Sequence, residues 1–586
     1  MAEKTLAEVI DDHLAGKLEL AEAGYRKLLE QNPDNADAIH LLGVIFFQKG
    51  NLEEARKHLV RAIALNNRVA LYHANLGRIE KARGEISSAI TAYRQSLALA
   101  PEQADINSDI AAALIDAGAY AEALKFVEHA LRLQPRFVAA TFNKGMALTG
   151  LGDLEAAASA FEEAVQLDGG YVEAWFQLAR VYHDCGRIKE AEAAYRKVIS
   201  IDPGHFETHC NLGNILRAAG HLNDALMYYD KALALIPDLP EVLSNKGVAL
   251  QELGRRDEAI SCYRRAINLD SNDAEAHRNL SMALLQGGDY EEGWKEFEWR
   301  WQTRHFASIK RRWDKSQWAG EPLNGKTILV HAEQGFGDSF QFCRYVPLLA
   351  ASGARVIVEA PDVVQGVLGT LQGIEEVVTP GNQLPAFDFH IPMMSLPGTF
   401  ETSSDSIPAP DKYLSVPPEA EQVWQGKIEN AEGTPRVGLV WKGNSEHGAN
   451  LWRSPGIEVF RPLLSQDHFK FYSLQKDDGE ADLREAGIGD RIVDLHRELN
   501  SFTDTAAIIG QLDLVITPDT SVAHLSGAIG CPTWIVLPHV AEWRWGIGRE
   551  DCPWYPSAKL FRQSAPGDWA GVVERLIEEL DEFRRY

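Results

Sequence analysis

FETHCNLGNILRAAGHLNDALMYYDKALALIPDL, residues 206–239, is one period of a repeat that decides the fold of half this chain. Its Gly220 recurs every 34 residues, at Gly16, Gly50, Gly84, Gly118, Gly152, Gly186, Gly254 and Gly288. Its Ala225 belongs to a column of small residues that runs from Ala21 to Gly293, and its Tyr229 to an aromatic column with Tyr93, Phe161, Tyr195, Tyr263 and Phe297. Pro237 has counterparts at Pro33, Pro101, Pro135 and Pro203. Glycine suits the left-handed position after a helix. Proline cannot continue a helix and marks the start of the next element. Alanine allows two helices to approach closely, and the aromatic ring fills the space between pairs. Each period therefore predicts a helix, a glycine turn, a second helix and a proline-marked turn.

A further column carries amides or their close substitutes: Asn75, Asp109, Asn143, Gln177, Asn211, Asn245 and Asn279. Each stands two residues before a small residue, as in Asn75-Leu76-Gly77 and Asn211-Leu212-Gly213. Two residues rotate a helix by roughly 200°. If the small residue faces a neighbouring helix, the amide faces the other way. Two roles stay open for the amides: binding an extended polypeptide in a groove, or bonding to the adjacent repeat.

The period and its columns resemble the tetratricopeptide repeat, with about nine copies over residues 1–302. The resemblance implies an all-α superhelix whose concave groove binds a protein or peptide. The amide column resembles the groove of the O-GlcNAc transferases, where such asparagines hold the main chain of an acceptor protein.

Bulk properties narrow the function. A chain of 586 residues implies two to four domains. A net charge of −26 argues against nucleic acid and against an anionic membrane surface as partners. Six cysteines without a CxxC pair form neither a zinc pattern nor a disulfide framework. The first twenty residues, MAEKTLAEVIDDHLAGKLEL, lack the apolar core of a signal peptide. No apolar run approaches the roughly 20 residues of a membrane helix. The expectation is a reduced, cytoplasmic protein.

Beyond the repeats, residues 294–320 mix Trp294, Trp299, Trp301, Trp313 and Trp318 with Arg300, Arg304, Lys310, Arg311 and Arg312, which reads as a helical connector, assigned to 303–325. Buried strands then alternate with helices: ILVHAE (328–333), ARVIVEA (354–360), RVGLVW (436–441), FKFYSLQ (469–475), DLVITP (513–518) and PTWIVLP (532–538). A Ser/Pro/Glu-rich break at 402–420 splits them into halves at 326–420 and 421–586, the second closed by a helix at 568–585. The expected fold class is α plus α/β: the repeat superhelix followed by two Rossmann-type halves facing a cleft, as in GT-B glycosyltransferases.

Three segments carry the candidate chemistry. In the first, His331-Ala-Glu333-Gln334-Gly335-Phe336-Gly337-Asp338, a glycine loop follows a strand and opens a helix. It resembles the Gly-Asp loop of the heptosyltransferase-like family, glycosyltransferase family 9, and the resemblance gives Asp338 the role of base toward the acceptor hydroxyl. A carboxylate at a helix N-terminus is expected to stay ionised. Glu333 is the competing base, and capping of the helix is the alternative role for Asp338.

The second segment is Thr517-Pro518-Asp519-Thr520-Ser521-Val522-Ala523-His524. Asp519 or Thr520 caps the next helix, whose free amides form an anion site. His524 lies one turn beyond Ser521 and is expected to help neutralise a leaving diphosphate. The segment resembles the Asp-Thr-Gly-x-x-His donor motif of the same family, with Ser521 in place of glycine.

The third is Trp441-Lys442-Gly443-Asn444, followed by Asn450 and Arg453-Ser454. Lys442 and Arg453 are expected to meet the phosphates from the other side, and Gln475 and Lys476 to contact base or ribose. The aromatic run Glu542-Trp543-Arg544-Trp545, with Trp554-Tyr555-Pro556, either walls a sugar pocket or seals the domain. The chain has no Asp-x-Asp, which fits a metal-independent donor site.

Together these features resemble bacterial proteins that join tetratricopeptide repeats to a heptosyltransferase-like domain. The resemblance implies an inverting glycosyltransferase that takes an ADP- or UDP-linked sugar and modifies a protein or peptide held in the repeats. Two alternatives stay open: a glycan or lipid-linked saccharide as acceptor, with the repeats recruiting a partner, and a scaffold without catalysis.

Overall fold

The computed structural model describes residues 4–333, 335–429, 433–443, 453–476 and 479–584. Gln334, Asn444 and Asn450 lie outside the described residues. The chain divides into two compact units, Met1–Leu235 and Ile236–Tyr586.

The first unit is made of helical hairpins, from Leu6–Leu14 with Leu18–Gln31 to Phe206–Ala218 with Leu222–Leu235. Local signals start and stop the helices where the period predicts. Asn51 accepts from the Glu54 amide at 3.2 Å and caps the helix Leu52–Leu65. The turn glycine takes a left-handed backbone, as at Gly84 with φ +81°. There its amide and that of Glu85 close the preceding helix on the Lys81 and Glu80 carbonyls at 3.0 and 2.9 Å. The small column and the aromatic column meet. A Cβ on Gly77 would stand 2.5 Å from the ring of Tyr93, so any larger residue there would force the hairpin apart. Tyr93, Ala89, Ile110, Ala111 and Val127 form one stretch of the apolar interior.

The second unit begins with two more hairpins, Pro240–Glu252 with Arg256–Leu269 and Ala274–Gln286 with Tyr290–Phe297. The last hairpin belongs physically to the α/β region. Leu285, Tyr290, Trp294 and Phe297 lie in the same apolar core as the strands Thr327–His331 and Arg355–Glu359. The sequence period and the packing thus divide the chain at different places, near 302 and at 235.

The segment after the repeats is helical only as far as Ile309, through the 3-10 turn Glu298–Gln302 and the helix Arg304–Ile309. The expected helical connector then gives way to extended chain. The Trp318 amide donates to the His390 carbonyl at 2.8 Å, and Trp313 stacks on the His390 ring at 4.8 Å, which fixes this stretch to the sheet edge.

The rest of the unit is built on two all-parallel sheets. Strands β1 (Thr327–His331), β2 (Arg355–Glu359), β3 (Ile374–Val378) and β4 (Phe389–Pro392) form the first, in the order β3-β2-β1-β4. Strands β5 (Arg436–Leu439), β6 (Lys470–Ser473), β7 (Val493–Asp494), β8 (Leu514–Pro518), β9 (Thr533–Leu537) and β10 (Ala558–Arg562) form the second, in the order β10-β9-β8-β5-β6-β7. Every residue of β1, β8 and β9 is buried, as expected where helices cover both faces of a parallel sheet. The four strands that the sequence pattern missed are β3, β4, β7 and β10. β3 carries two consecutive exposed acids before its valines at a sheet edge, and β4 and β7 are too short to show a period. The closing helix spans Trp569–Phe583, capped by Asp568, which accepts from the Gly571 amide at 2.9 Å.

Candidate functional site

Strand order locates the site before any side chain is considered. Counted within its own sheet, each half runs 3-2-1-4, and the second continues 5-6. In such sheets the crossovers leave on opposite sides where the order reverses. This opens a crevice at the carboxyl ends of the two strands there. In the first sheet these strands are β1 and β4, and in the second β5 and β8. β1 runs into Glu333 and the Gly335–Asp338 loop, β5 into Trp441–Gly443, and β8 into Asp519–Ser521. Most of the residues picked out by motif therefore stand at strand ends where ligands bind in this kind of sheet.

The two glycine and acid segments also meet. The helix Phe336–Phe342 packs against the helix Ser521–Ile529. A Cβ on Gly337 would lie 2.6 Å from Cδ2 of His524, so the second glycine of the loop makes room for the imidazole. Gly335 is exposed and carries no such constraint.

Asp338 is not the freely ionised helix-end carboxylate expected from position alone. Its side chain is 18% exposed, and Oδ1 pairs with Nη2 of Arg544 from the other half of the unit. Burial pushes its carboxyl above the usual range, against the pull of Arg544, and Asp519 adds to the rise. Desolvation outweighs the weak field of a two-turn helix.

Arg544 is the residue that sequence reasoning missed as a site group. Its guanidinium donates to Asp338, to Oε1 of Gln341 and to Oε1 of Glu542, and its face lies over Trp543 at 4.6 Å. Glu542 is pushed up to about 7 by burial, with Arg544 opposing and Asp519 reinforcing. Two carboxylates and the Gln341 amide thus hold one guanidinium, with Asp519 in electrostatic reach. No local motif announces this, because Asp338 and Arg544 are 206 residues apart.

His524 is buried, with Nδ1 2.9 Å from the Tyr555 hydroxyl, its ring stacked on Trp545, and Nε2 3.9 Å from Asp519. Burial, aided by Arg544, Arg344 and Arg453, drives its pKa well below the usual 6.5. The expected cationic partner for a diphosphate is therefore a neutral imidazole, which is left with hydrogen bonding alone. Thr520 is the N-cap residue of the helix, and its hydroxyl lies 2.9 Å from that of Thr517. Ser521 begins the helix.

Glu333 is enclosed rather than poised as a base. Its side chain has 0% exposure, and its carboxylate takes Nε and Nη2 of Arg300 and, at 2.9 Å, the Met394 amide. Gln475 is likewise committed. Its Oε1 accepts from the Trp441 and Lys442 amides, each at 3.1 Å, so it ties the end of β6 to that of β5 rather than facing a base. Lys476 reaches the His496 carbonyl at 3.1 Å, and Lys442 pairs with Asp482 at 2.6 Å. Arg453 is half-buried, and its Nε has no hydrogen-bond partner among the described residues. Asn444 lies outside them. Trp543, Trp545, Trp554 and Tyr555 are buried against one another and against Trp294, so this aromatic run seals the unit instead of walling an open pocket.

All seven residues of the amide column are half-buried. In the first unit they bond locally. Asn75 donates to Nε2 of His40 at 2.8 Å, and burial holds that imidazole neutral by lowering its pKa to about 4. Asn143 donates to the Ser108 carbonyl and hydroxyl, both at 3.1 Å, and Asn211 to the Tyr195 hydroxyl at 3.3 Å. Asp109 accepts from Arg78 at 2.8 Å, and Gln177 bonds within its own helix to Glu173. The alternative of bonding to the adjacent repeat thus describes Asn75, Asp109, Asn143 and Asn211, whereas Gln177 bonds within its own repeat. Asn245 and Asn279 are in the second unit. Replacing Asn143 by Ala is expected to lower the stability of the first unit by about 1 kcal/mol, measured by urea unfolding.

Comparison with known proteins bears on the helical region. Residues 13–79 and 148–209, 74–136 and 194–227 match tetratricopeptide repeat families, and residues 213–254 and 252–288 match a TPR repeat family. Protein FlbA of Caulobacter vibrioides is 24% identical over 321 residues, which are 50% of this chain and 53% of FlbA. Cellulose synthase operon protein C of Pseudomonas fluorescens is 35% identical over 91 residues, 14% of this chain and 7% of that protein. The chain thus spans about half the length of FlbA and a small part of the second relative. Among solved structures, YrrB, described as a TPR protein with an unusual peptide-binding site, is 22% identical with a TM-score of 0.28, covering 31% of this chain and 95% of YrrB. The N-terminal helical region of this chain is an array of tetratricopeptide repeats.

Proposed function

We propose that this chain is a metal-independent, inverting glycosyltransferase of the GT-B type, which moves a sugar from a nucleotide-diphosphate donor to a hydroxyl of a protein or peptide captured by the repeats. The observation that carries the proposal is the meeting of two strand-end segments from two parallel sheets. The Gly335–Asp338 loop and the Asp519–His524 segment touch through Gly337 and His524, at the crevice where such sheets bind nucleotides. In the proposed reaction Asp338 takes the proton of the acceptor hydroxyl as that oxygen attacks the anomeric carbon, and the nucleoside diphosphate leaves. The first-turn amides at Ser521, with Lys442 and Arg453, receive the departing charge. Tetratricopeptide repeats support a protein-interaction role, so the acceptor is assigned to them.

A thermal-shift screen of the full chain against ADP, UDP, GDP and their sugar conjugates, without added metal, tests the donor assignment. Ligand at a hundred times its Kd stabilises the folded state by about 2.7 kcal/mol, so one carrier is expected to raise the melting temperature clearly, and His524→Ala to abolish the rise. A well-folded protein that none of them shifts would overturn the proposal in favour of a repeat scaffold. The engagement of Asp338 by Arg544 and the serine at Ser521 are the features that favour that second reading.

Affinity for the matching nucleotide sugar is expected to rise as pH falls from 8 to 6. Glu542, pushed up to about 7, gains a proton over this interval and removes a negative charge beside Arg544. The diphosphate of an intact nucleotide sugar does not titrate there. Glu542→Gln is expected to flatten the profile in calorimetric titrations.

A further inference from the structure

Arg544 has one donor nitrogen on each of three acceptors: Nη2 on Asp338, Nη1 on Glu542 and Nε on Gln341. It is 11% exposed, and its guanidinium carbon lies over Trp543 and Phe342, 4.6 and 5.7 Å from the ring centroids. Asp519, at the mouth of the helix Ser521–Ile529, also lies within electrostatic reach of it. Asp338 and Gln341 come from the helix after β1, and Arg544 and Glu542 from the loop after β9, so this cluster joins the two halves of the crevice. The carboxylates outnumber the guanidinium, and Asp519 makes the charge on Asp338 harder to hold.

We propose that Arg544 is a further diphosphate-binding cation of this crevice, beside Lys442 and Arg453, held in reserve by Asp338, and that an incoming nucleoside diphosphate takes it over and so releases the Asp338 carboxylate for proton abstraction. This rests on the assignment of the crevice as a nucleotide-sugar site. A guanidinium pairs with two phosphoryl oxygens in the same forked geometry it uses for a carboxylate. The exchange moves the guanidinium from one partner to another. It breaks one ion pair and forms another, and no covalent bond changes. The Nε of Arg453, buried without a partner among the described residues, is a second donor in electrostatic reach of His524. The device would keep the base occupied until the donor is bound.

Competition makes a prediction that a purely structural ion pair does not. Titration calorimetry of the full chain with UDP, ADP and GDP is the test, run on wild type, Asp338→Asn, Arg544→Gln and Arg544→Lys. Asp338→Asn removes the competitor and is expected to tighten the bound nucleotide by three- to tenfold. Arg544→Gln is expected to weaken it at least tenfold, and Arg544→Lys to recover part of that loss. Unchanged or weaker binding in Asp338→Asn, or unchanged binding in Arg544→Gln, would overturn the proposal while leaving the donor site in place. Failure of wild type to bind any of the three nucleotides would overturn the nucleotide-sugar assignment itself, and this proposal with it.

Discussion

Arg300→Met is expected to destabilise the second unit by about 3–5 kcal/mol, the cost of stranding one partner of a buried ion pair. Arg300 is 1% exposed and comes directly after the last repeat. It donates through Nε and Nη2 to Glu333 and through Nη2 to the Ser395 hydroxyl at 2.7 Å. Burial already pushes the Glu333 carboxyl up to about 7 from an ordinary 4.5, with Arg300 pulling it down. Without Arg300 the carboxyl rises further. A carboxyl raised in the folded state favours folding fully only below its unfolded pKa, and that contribution is lost as pH climbs through the folded value. The deficit of Arg300→Met is therefore expected to be smallest near pH 5 and largest near pH 8, in guanidinium unfolding followed at both. Adding Glu333→Gln removes the stranded charge and is expected to restore a substantial part of the loss. A single variant as stable as wild type at pH 8 would show that the pair does not hold the repeat tail to the first sheet.

In the proposed reaction, Asp338→Ala is expected to lower kcat for sugar transfer by about 10²- to 10⁴-fold, the usual contribution of a positioned general base. The loss should fall on kcat, while donor KM is expected to fall rather than rise, because removing the carboxylate also frees Arg544 for the diphosphate. Transfer that persists undiminished in Asp338→Ala would remove the residue from the mechanism. The fold is expected to survive the change. Asp338 is partly exposed, and Arg544 retains Glu542 and Gln341 as acceptors.

The repeat array was legible because each hairpin is specified by its own short stretch. Gly84 and its counterparts must adopt a left-handed backbone, and Gly77 must leave room for Tyr93, so both leave a mark every 34 residues. The buried strands β1, β8 and β9 were legible for a similar local reason. A strand covered on both faces is a continuous apolar run. The edge strands β3 and β7 were not, since an exposed or two-residue strand carries no such run.

The sequence by itself determined the repeats, the parallel α/β character of the C-terminal region, and the strand-end loops where chemistry is to be sought. Only the tertiary structure decided what those residues are free to do. Glu333 and Gln475 look like site residues in a motif, yet folding commits them to Arg300 and to the amides of Trp441 and Lys442. Asn75 and Asn143 look like groove ligands, yet they bond to His40 and Ser108. His524 loses its charge to burial, and Asp338 finds Arg544, 206 residues away in the chain. Backbone conformation and apolar periodicity are set within a few residues. Desolvation and ion pairing depend on which distant segments fold together, and so they leave no local trace in the chain.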